Sequence, residues 1–588
     1  MSIIGIDLGT TNSVLAVYKD GAPQTVKIDE AKLLPSVVHL GDDGFVVGKT
    51  AKNLLILEPE KTIASVKRKM GQDITLPIGD REMRPEEISA VILRKIKEVA
   101  ALELGVAADS EIRAVITVPA YFTEEQRTAT RQAAENAGLK PERIINEPTA
   151  AALAFGMSNL EKALYAVYDL GGGTFDISVI ESDNGLVEVL STTGNNQLGG
   201  DDFDTALADY MWEDFKQKNK LKSLEADRRT RAKLLQAAEN AKIALSQEKE
   251  HKIEDSFFLT HKDKSYHLEL SITREKFEEI IREKIEETVT LLEDAVRDSK
   301  MKMTDLDGIL LVGGSSRIPL VTELVEEKTG ILPQLTDLPD EAVAHGAAVQ
   351  GAIIDGIDIK TILVDITPYS LGIGVMDEIA EISLFQAMQA EGFDSEDHDR
   401  NLGVGVLIGK NTALPAKNSD TFYGMTPHQK RFELKVFQGE ADRAADNREI
   451  GTCLLEVADP PESTEIYVTF KLDINGILEL EAYETATKEE IKATFKSSRG
   501  QKISADKVVE NKPRESDEAI VLADTATADN MLIERAEKAL KSKDIDEEDR
   551  SELEEALALY QRQHLNGEDK AAEETKGEIL DLLYYLEQ

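Results

Sequence analysis

The sequence predicts a multidomain protein in which a duplicated α/β region precedes a β domain and a short helical segment. Three observations predict this order. Strand and helix patterns alternate up to about residue 358, short strands with turn signals continue to about residue 502, and the remainder is helical and acidic. With 588 residues, the chain is also too long for a single hydrophobic core.

The composition excludes several functional classes. The formal net charge is −43, which opposes nucleic-acid binding because phosphates would be repelled over most of the surface. No run of about 18 uncharged apolar residues occurs, so a membrane span is not expected. The chain starts with a strand pattern rather than a basic and apolar leader, and its single cysteine, Cys453, permits no internal disulfide. We therefore expect a cytoplasmic protein in which Cys453 is a core thiol.

The α/β region contains two similar segments, "IIGIDLGTTNSVLAV" from Ile3 and "YAVYDLGGGTFDISVI" from Tyr165. Each has an apolar run, Asp-Leu-Gly, a turn of small residues and a second apolar run. Asp7 and Asp169 occupy the same place in the two copies. We predict two related lobes whose carboxylates and backbone N–H groups face one cleft, which suits a polyphosphate and a Mg²⁺ ion.

The second half of the chain contains four further segments. Residues 362–364, Ile-Leu-Val, form an apolar patch that fits either an edge strand or a functional linker. Asn475-Gly476, between alternating apolar residues, predicts a two-residue β-hairpin. Residues 377–401 are acidic and predict a solvated insertion. Leu, Ala and Glu at helical spacing after residue 503 predict a small helical appendage.

Longer motifs carry a resemblance to a known family. They are "NEPTAAALAFG" at 146–156, "LVGGSSRIP" at 311–319, "DITPYSLGIGV" at 365–375, "QGEADRAADN" at 438–447 and "FKLDINGILE" at 470–479. With the duplicated Asp-Leu-Gly turns, they resemble the seventy-kilodalton heat-shock chaperone family of the DnaK type. The resemblance covers nearly the whole chain apart from the acidic insertion and the helical end. "GMTPHQ" at 424–429 is most similar to the HscC-like subgroup.

The resemblance implies an actin-like ATPase domain, a linker, a β-sandwich that binds peptide and a short α-helical lid. The corresponding residues are 1–358, 359–367, 368–502 with the insertion 377–401, and 503–588. The implied function is that of a chaperone that binds extended apolar segments of unfolded proteins. ATP binding and hydrolysis would control peptide release and capture, with ATP or ADP and Mg²⁺ as cofactors.

The resemblance also implies roles for single residues around the phosphates. Asp7 and Asp169 would orient the waters of Mg²⁺, and Lys67 would offset charge that develops on the γ-phosphate. Glu147 and Asp176 would position the attacking water or its hydrogen bonds. The residues implied to line the two phosphate loops are Thr10, Thr11, Asn12, Gly171, Gly172, Gly173 and Thr174, the last of which is also implied in catalysis.

Further residues are implied to surround the rest of the nucleotide. Glu239, Lys242 and Ser246 would face the adenosine, and their spacing of three and four residues gives them one helix face. The others implied to bind the nucleotide are Gly199, Gly200, Gly313, Gly314, Ser315, Arg317 and Asp340.

In the β domain, six apolar residues fall where the family has its peptide cleft. They are Ile373, Met376, Phe422, Met425, Phe432 and Leu434. Apolar residues that alternate along strands are also typical of an ordinary core, so the pattern alone fits both interpretations. The adaptable thioethers of Met376 and Met425 suit a cleft that accepts varied side chains.

The implied partners are unfolded or extended polypeptides and a J-domain co-chaperone, whose basic contact would fall at Arg127, Arg131 and Arg143. Docking of a nucleotide exchange factor stays open because the region from about 70 to 90 is abbreviated. The linker is one residue shorter than the family's usual form and the lid is shorter, which leaves the strength of interdomain coupling open.

Two other functions remain possible for a fold of this kind. A small-molecule kinase would share the two-loop arrangement and release a phosphorylated product, whereas an actin-like filament protein would polymerise with ATP. Neither function needs a β domain followed by a helical segment. The residues after 368 therefore favour the chaperone.

Overall fold

The computed structural model describes residues 3–156, 162–336, 338–357, 359, 361–376, 402–424, 428–457, 460–485 and 490–494, and a few positions between 550 and 559. The chain forms two compact units, Met1–Ala505 and Asp506–Gln588, and every element below belongs to the first. Met425, the predicted insertion at 377–401 and most of the predicted lid lie outside the described residues. In the described part, no helix has the length and apolarity needed to cross a membrane.

The first part of the chain builds a six-stranded sheet with helices packed on it. Its elements are β1 (Ile4–Asp7), β2 (Asn12–Lys19), β3 (Ala22–Val26), β4 (Leu34–Pro35), β5 (Val37–Gly41), β6 (Gly44–Val47), α1 (Lys49–Leu57), β7 (Thr62–Ala64), β8 (Leu76–Ile78), β9 (Arg81–Met83), α2 (Pro85–Leu104), β10 (Ile112–Val118), α3 (Glu124–Asn136), β11 (Leu139–Asn146) and α4 (Glu147–Gly156). The sheet order is β11-β10-β1-β2-β3, with β4 against β2. Strands β5, β6 and β7 form a separate small sheet, and β8 pairs with β9.

The next part builds a second six-stranded sheet. Its elements are β12 (Ala163–Leu170), β13 (Phe175–Asp183), β14 (Leu186–Asn195), α5 (Gly200–Asn219), α6 (Arg228–Leu245), β15 (Glu250–His261), β16 (Lys264–Thr273), α7 (Arg274–Asp298), β17 (Gly308–Val312), α8 (Pro319–Thr329), β18 (Gln334–Leu335), α9 (Ala342–Ile354) and β19 (Ile362–Val364). The sheet order is β18-β17-β12-β13-β14-β19, and β15 pairs with β16. Short 3-10 helices occur at Pro59–Lys61, Val66–Lys69, Met303–Asp305 and Gly314–Arg317.

The predicted repeat is present in both sheets. Strand β1 is antiparallel to β2 and parallel to β10, and β12 is likewise antiparallel to β13 and parallel to β17. The apolar runs of β1 and β12 are almost entirely buried, as expected for strands between parallel or antiparallel neighbours and covering helices. The two Asp-Leu-Gly turns therefore leave equivalent edges of the two sheets.

The apolar patch at 362–364 forms an edge strand. Strand β19 pairs in parallel with β14, and Ile362 lies opposite Leu186. Leu363 packs on the hydrophobic cluster that contains Val187 and Val189, whereas 53% of the Ile362 side chain surface is exposed. The segment that connects the α/β region to the β domain is thus an integral strand of the second sheet in this structure.

The β domain consists of two four-stranded antiparallel sheets. Its strands are β20 (Leu371–Val375), β21 (Gly403–Ile408), β22 (Ala416–Tyr423), β23 (Arg431–Gln438), β24 (Arg448–Glu456), β25 (Glu465–Leu472), β26 (Leu478–Glu484) and β27 (Glu490–Thr494), with a 3-10 helix at Ala444–Asp446. The sheet orders are β21-β20-β23-β24 and β22-β25-β26-β27. One hydrophobic cluster joins side chains of both sheets, and it includes Cys453, as predicted for a core thiol.

The predicted hairpin at Asn475-Gly476 is confirmed, but its loop is longer than two residues. Leu472 pairs with Leu478, and the Asp473 N–H donates to the Ile477 carbonyl at 3.1 Å, which leaves three residues at the tip. The Asp473 carboxylate accepts the backbone N–H groups of Asn475 and Ile477, each at 2.8 Å. Gly476 adopts a φ of +74°. The aspartate side chain thus favours the wider turn with a left-handed glycine.

The β domain and the linker that precedes it contact the α/β region through several polar groups. The Asn146 amide donates to the Asp365 carboxylate at 2.9 and 3.0 Å, and the Ile144 N–H donates to Asn475 Oδ1 at 3.0 Å. Ion pairs join Lys410 to Asp298 at 2.6 Å and Arg448 to Glu125 at 3.2 Å. The Tyr369 hydroxyl donates to the Tyr121 carbonyl at 3.0 Å.

Candidate functional site

The two repeated aspartates lie in one region between the sheets. Asp7 ends β1, where the Thr117 hydroxyl donates to it at 3.2 Å, and Asp169 is the penultimate residue of β12. Shielding from water and the charge of Glu147 raise the pKa of Asp7 to about 7. Burial also raises the pKa of Asp169, and the negative charges of Glu147, Asp176 and Asp7 contribute to this rise. Because these carboxylates act on one another, the two turns lie close together.

A buried ion pair lies beside these aspartates. Lys67, on the 3-10 helix Val66–Lys69, donates to Glu147, the first residue of α4. Both side chains are buried, and the Lys67 ammonium lies 5.7 Å from the centre of the Phe122 ring. The fold therefore brings Lys67 and Glu147 together, although they lie 80 residues apart in the sequence.

Asp176 completes the carboxylate cluster. It lies directly across the β12–β13 pair from Asp169 and accepts the Tyr121 N–H at 3.1 Å. Burial and the neighbouring Glu147 raise the pKa of Asp176 to about 7. The cluster thus combines four carboxylates with Lys67, a charge balance that a bound divalent cation would correct.

The two predicted phosphate loops touch each other, and only glycine fits at the contact. A Cβ atom on Gly172 would lie 1.8 Å from Thr11 Oγ1, and one on Gly173 would lie 2.3 Å from Thr10 Cγ2. The Gly171 N–H donates to the Thr174 carbonyl at 3.1 Å, which closes the second turn around a buried Thr174. Asn12 begins β2 directly after the first turn.

The start of α5 supports the second loop. The N–H groups of Gly200 and Asp201 donate to the carbonyls of Gly171 and Gly172 at 3.0 and 2.7 Å. A Cβ atom on Gly199 would lie 2.7 Å from the Gly172 backbone. The two glycines therefore allow the helix to approach the loop closely.

Four supporting residues were missed by the sequence analysis: Ser65, Arg68, Asp201 and Asp202. The Arg68 Nε donates to the Gly173 carbonyl at 2.9 Å, and Arg68 also pairs with Asp202. Asp201 accepts the hydroxyls of Ser65 at 2.6 Å and of Thr11 at 3.2 Å. The available signal was Asp201-Asp202 directly after Gly199-Gly200, because acidic residues in a first helical turn mark a helix start.

The predicted adenosine residues of α6 lie near the loops but are bonded to protein groups. Lys242 donates to Asp204 at 2.7 Å and to the Gly200 carbonyl at 3.1 Å. Glu239 pairs with Lys52 of α1 at 2.7 Å, and the Ser246 hydroxyl donates to the Lys242 carbonyl at 2.9 Å. Of the three, Lys242 is therefore brought closest to the second loop.

The turn after β17 brings the remaining nucleotide candidates to the same cleft. Gly313 has a φ of +80°, and a Cβ atom there would lie 2.7 Å from Asp169 Oδ1. The Ser315 hydroxyl donates to the Gly171 carbonyl at 2.9 Å. Arg317 pairs with Asp340 at 2.8 Å, and a Cβ atom on Gly314 would lie 3.0 Å from Asp340 Oδ1.

The predicted peptide residues are divided between two hydrophobic clusters. Ile373, Phe432 and Leu434 are buried in the cluster shared by the two sheets, and Phe422 packs against that cluster. Met376 instead packs with Leu402, Phe437 and Ala444. Four of the six predicted peptide residues therefore lie in or against one hydrophobic cluster, and Met376 packs against a different one.

The predicted basic contact is only partly on the surface. Arg127 is buried, and its guanidinium donates to Asn146 and to the Ala120 carbonyl at 3.1 Å. Arg131 and Arg143 are partly exposed. Arg127 is therefore not the surface residue that a partner contact requires. It lies in the first turn of α3, which the β domain covers.

The described residues contain no group of three or more His, Cys, Asp or Glu side chains arranged to hold a metal ion directly. A family model described as Hsp70 protein matches residues 3–83, 73–387 and 400–586. These matches extend over both sheets of the α/β region, the β domain and the predicted helical end. The chain therefore belongs to the Hsp70 protein family, whose members are ATP-dependent chaperones.

Proposed function

We propose that this chain hydrolyses ATP in the cleft between the two repeated hairpins and uses the nucleotide state to control peptide binding by its β domain. The observation that carries the proposal is the contact between the two loops at Gly172 and Gly173 beside Asp7 and Asp169. Family membership supports an actin-like ATPase and a substrate-binding domain.

The residues of the cleft fit a magnesium-bound nucleotide. Glycine at positions 172 and 173 lets the two loops approach each other closely, and a side chain at either position would fill the space between them. The carboxylates exceed the positive charge of Lys67, so a divalent cation would lower their mutual repulsion. Because Mg²⁺ keeps most of its waters, Asp7 and Asp169 are proposed to bind its water shell.

Each residue of the cluster then has a distinct task. Bound Mg²⁺·ATP would supply the phosphoryl group and the metal charge for the reaction. Lys67 would offset negative charge on the γ-phosphate, and Glu147 holds the lysine in place through their buried ion pair. Asp176 and Thr174 would orient the attacking water and its hydrogen bonds. Thr10, Thr11, Asn12 and Gly171 would hold the phosphates.

The adenosine side would use α6 and the turn after β17. The side chains of Lys242 and Ser315 both lie close to Gly200. A Cβ atom on Gly200 would lie 3.0 Å from Lys242 Nζ and 2.4 Å from Ser315 Oγ. Glu239 would need to leave its ion pair with Lys52 to contact the nucleotide.

Peptide binding is proposed for the β domain, in the sandwich and lid arrangement that the resemblance implies. An extended segment would form main-chain hydrogen bonds and insert an apolar side chain near Phe422, Ile373 and Leu434. A J-domain co-chaperone is the proposed partner for hydrolysis, and the partly exposed Arg131 and Arg143 are its proposed contacts.

The decisive experiment measures dissociation of a labelled Leu- or Val-rich peptide with ATP, with ADP and without nucleotide. We expect ATP to accelerate release by roughly tenfold, a typical coupling between two sites. Equal release rates in all three conditions would contradict the coupling. A phosphorylated small molecule, or polymer that sediments after ATP addition, would instead favour a kinase or a filament protein.

A further inference from the structure

A small cavity separates the start of α3 from the β domain. Its volume is about 20 Å³, which is enough for one water molecule. Glu124 and Arg127 line it on one side, and Thr367, Gln438 and Gly476 line it on the other. The cavity exists only where the two domains meet, so its environment depends on their docking.

Two oxygen atoms in the wall of this cavity lack a hydrogen-bond donor among the described protein groups. They are Glu124 Oε2 and Gln438 Oε1, in side chains that are only 3% and 7% exposed. The other carboxyl oxygen, Oε1, accepts the Thr128 hydroxyl at 3.0 Å. Two acceptors cannot bond to each other. A proton on Oε2 would make it a donor, and Gln438 Oε1 could then accept from it directly or through one water.

The charges around Glu124 also favour its neutral form. Burial, opposed by the hydrogen bond from Thr128 and aided by the carboxylates of Glu125 and Asp473, raises the pKa of Glu124 to about 8. Arg127 opposes this rise, but its guanidinium is bonded to Asn146 and Ala120 and is shared with Asp365 and Asp176.

A nearby buried carboxylate provides a contrast. Asp365 accepts two hydrogen bonds from the Asn146 amide and one from the Ile366 N–H at 2.9 Å, with Arg127 and Arg143 close by. Burial raises the pKa of Asp365, and these donors and the two arginines oppose that rise. Among the described residues, Glu124 receives one side-chain hydrogen bond, from Thr128, and forms no ion pair, so fewer groups oppose its protonation than oppose that of Asp365.

We propose that docking of the β domain on α3 captures a proton on Glu124, so that acid favours the docked arrangement. Separation of the domains would open the cavity to water and allow Glu124 to ionise. This inference rests on the proposed function in one respect, namely that the domains dock and separate during the nucleotide cycle.

The direction of the pH dependence follows from proton binding. In the separated state, Glu124 is at the surface and its pKa returns toward the ordinary value of 4.5, whereas in the docked state the pKa is about 8. The docking constant is therefore largest below the lower value and falls as pH rises from it toward the upper one. Between pH 6 and pH 8 we expect a decrease of at least about tenfold.

The test uses energy transfer between dyes on cysteines introduced at the exposed Glu111 and Glu462 of the full chain. The native Cys453 is buried and should escape labelling. Transfer is measured from pH 6 to pH 8 with a non-hydrolysable ATP analogue and with ADP. The unmodified chain should lose docking over this range, and Glu124→Gln should remain docked with little pH dependence, because its amide donates to Gln438 at every pH.

Two further variants complete the test. Glu135→Gln, at an exposed position on the same helix, should match the unmodified chain. Gln438→Glu should steepen the pH dependence by adding a second carboxyl at the cavity. If Glu124→Gln does not fold, this second variant tests whether docking captures a proton at the cavity. A docking constant that is unchanged from pH 6 to pH 8, or an unaltered pH dependence in Glu124→Gln, would overturn the inference. If energy transfer is the same with the ATP analogue and with ADP at every pH, the proposed function would be contradicted instead.

Discussion

Lys67 lies among more negative charge than it can neutralise. It is bonded to Glu147, and it also lowers the pKa values of Asp7, Asp169 and Asp176 without returning them to the ordinary range. Burying an uncompensated charge is costly, so such a cluster is stable only with protons or further cations. This charge balance supports the proposal that the cluster binds a metal ion together with an anionic ligand.

The contact between the two loops makes Gly172 sensitive to substitution. In Gly172→Ala the new methyl group would collide with the Thr11 hydroxyl, and overpacking of this kind costs about 1–3 kcal/mol. We expect affinity for a fluorescent ADP analogue to fall about tenfold or more, as measured by equilibrium titration.

Gly409→Ala is the matched control for this substitution. A Cβ atom at Gly409 meets no other atom within 4 Å, so nucleotide affinity should stay unchanged. Equal affinities in the two variants would show that the loops do not form the nucleotide site.

At the scale of single residues, the sequence was informative where it repeated. Asp7, Asp169 and the glycine turns are found by comparing the two copies of one pattern. Arg68 and Ser65 were not found, because they act on the loops from a 3-10 helix whose position no periodicity reveals. The pairing of Glu239 with Lys52 was also unpredictable, since the two residues are 187 positions apart in the sequence and lie on different helices.

Strand β19 connects the nucleotide region to the β domain at the scale of elements. Its Leu363 side chain packs into the second sheet's core, while Ile362 faces solvent. In Leu363→Asp a charge would replace this apolar contact, so the strand should detach. ATP should then accelerate peptide release little or not at all, as measured by labelled-peptide dissociation.

The same substitution one residue earlier tests the interpretation. Ile362→Asp introduces the same charge at an exposed side chain and should retain most of the ATP effect. Loss of the effect in both variants, or in neither, would argue against a role for the packed face of β19.

The elements themselves were largely predictable. Alternating apolar residues with Asn475-Gly476 predicted the β25–β26 hairpin, but the width of its loop depends on side-chain hydrogen bonds from Asp473. Residues 362–364 predicted a strand or a linker, and pattern alone could not decide, because an edge strand needs a partner far away in sequence. That partner is β14, which begins at Leu186.

At the scale of the whole molecule, ion pairs hold the β domain against the α/β region. Lys410 and Asp298 lie 2.6 Å apart and are partly shielded from solvent. Lys410→Glu should weaken docking, and since a partly exposed pair contributes up to about 1 kcal/mol, the docking constant should fall about fivefold. Energy transfer between the two domains measures this change.

A charge swap distinguishes the ion pair from a general effect of charge. Adding Asp298→Lys to Lys410→Glu should restore docking, whereas Asp298→Lys alone should weaken it. A double variant that is no better than the single ones would argue that this pair does not stabilise docking.

How the domains dock could not be read from the sequence. Arg127 was predicted at the surface but is covered by the β domain, and Asn475, predicted only as a turn residue, accepts the Ile144 N–H. Both outcomes depend on contacts between segments more than 200 residues apart. Local sequence patterns do not predict contacts between segments so far apart.

The parallel pairing of β19 with β14 also has a practical consequence for shorter versions of the chain. Strand β14 has β13 on one side and β19 on the other, so truncation before Ile362 would leave its outer backbone groups bare. Bare strand edges recruit strands from other molecules and promote aggregation. Recombinant fragments of the α/β region should therefore extend through Val364 if they are to stay monodisperse.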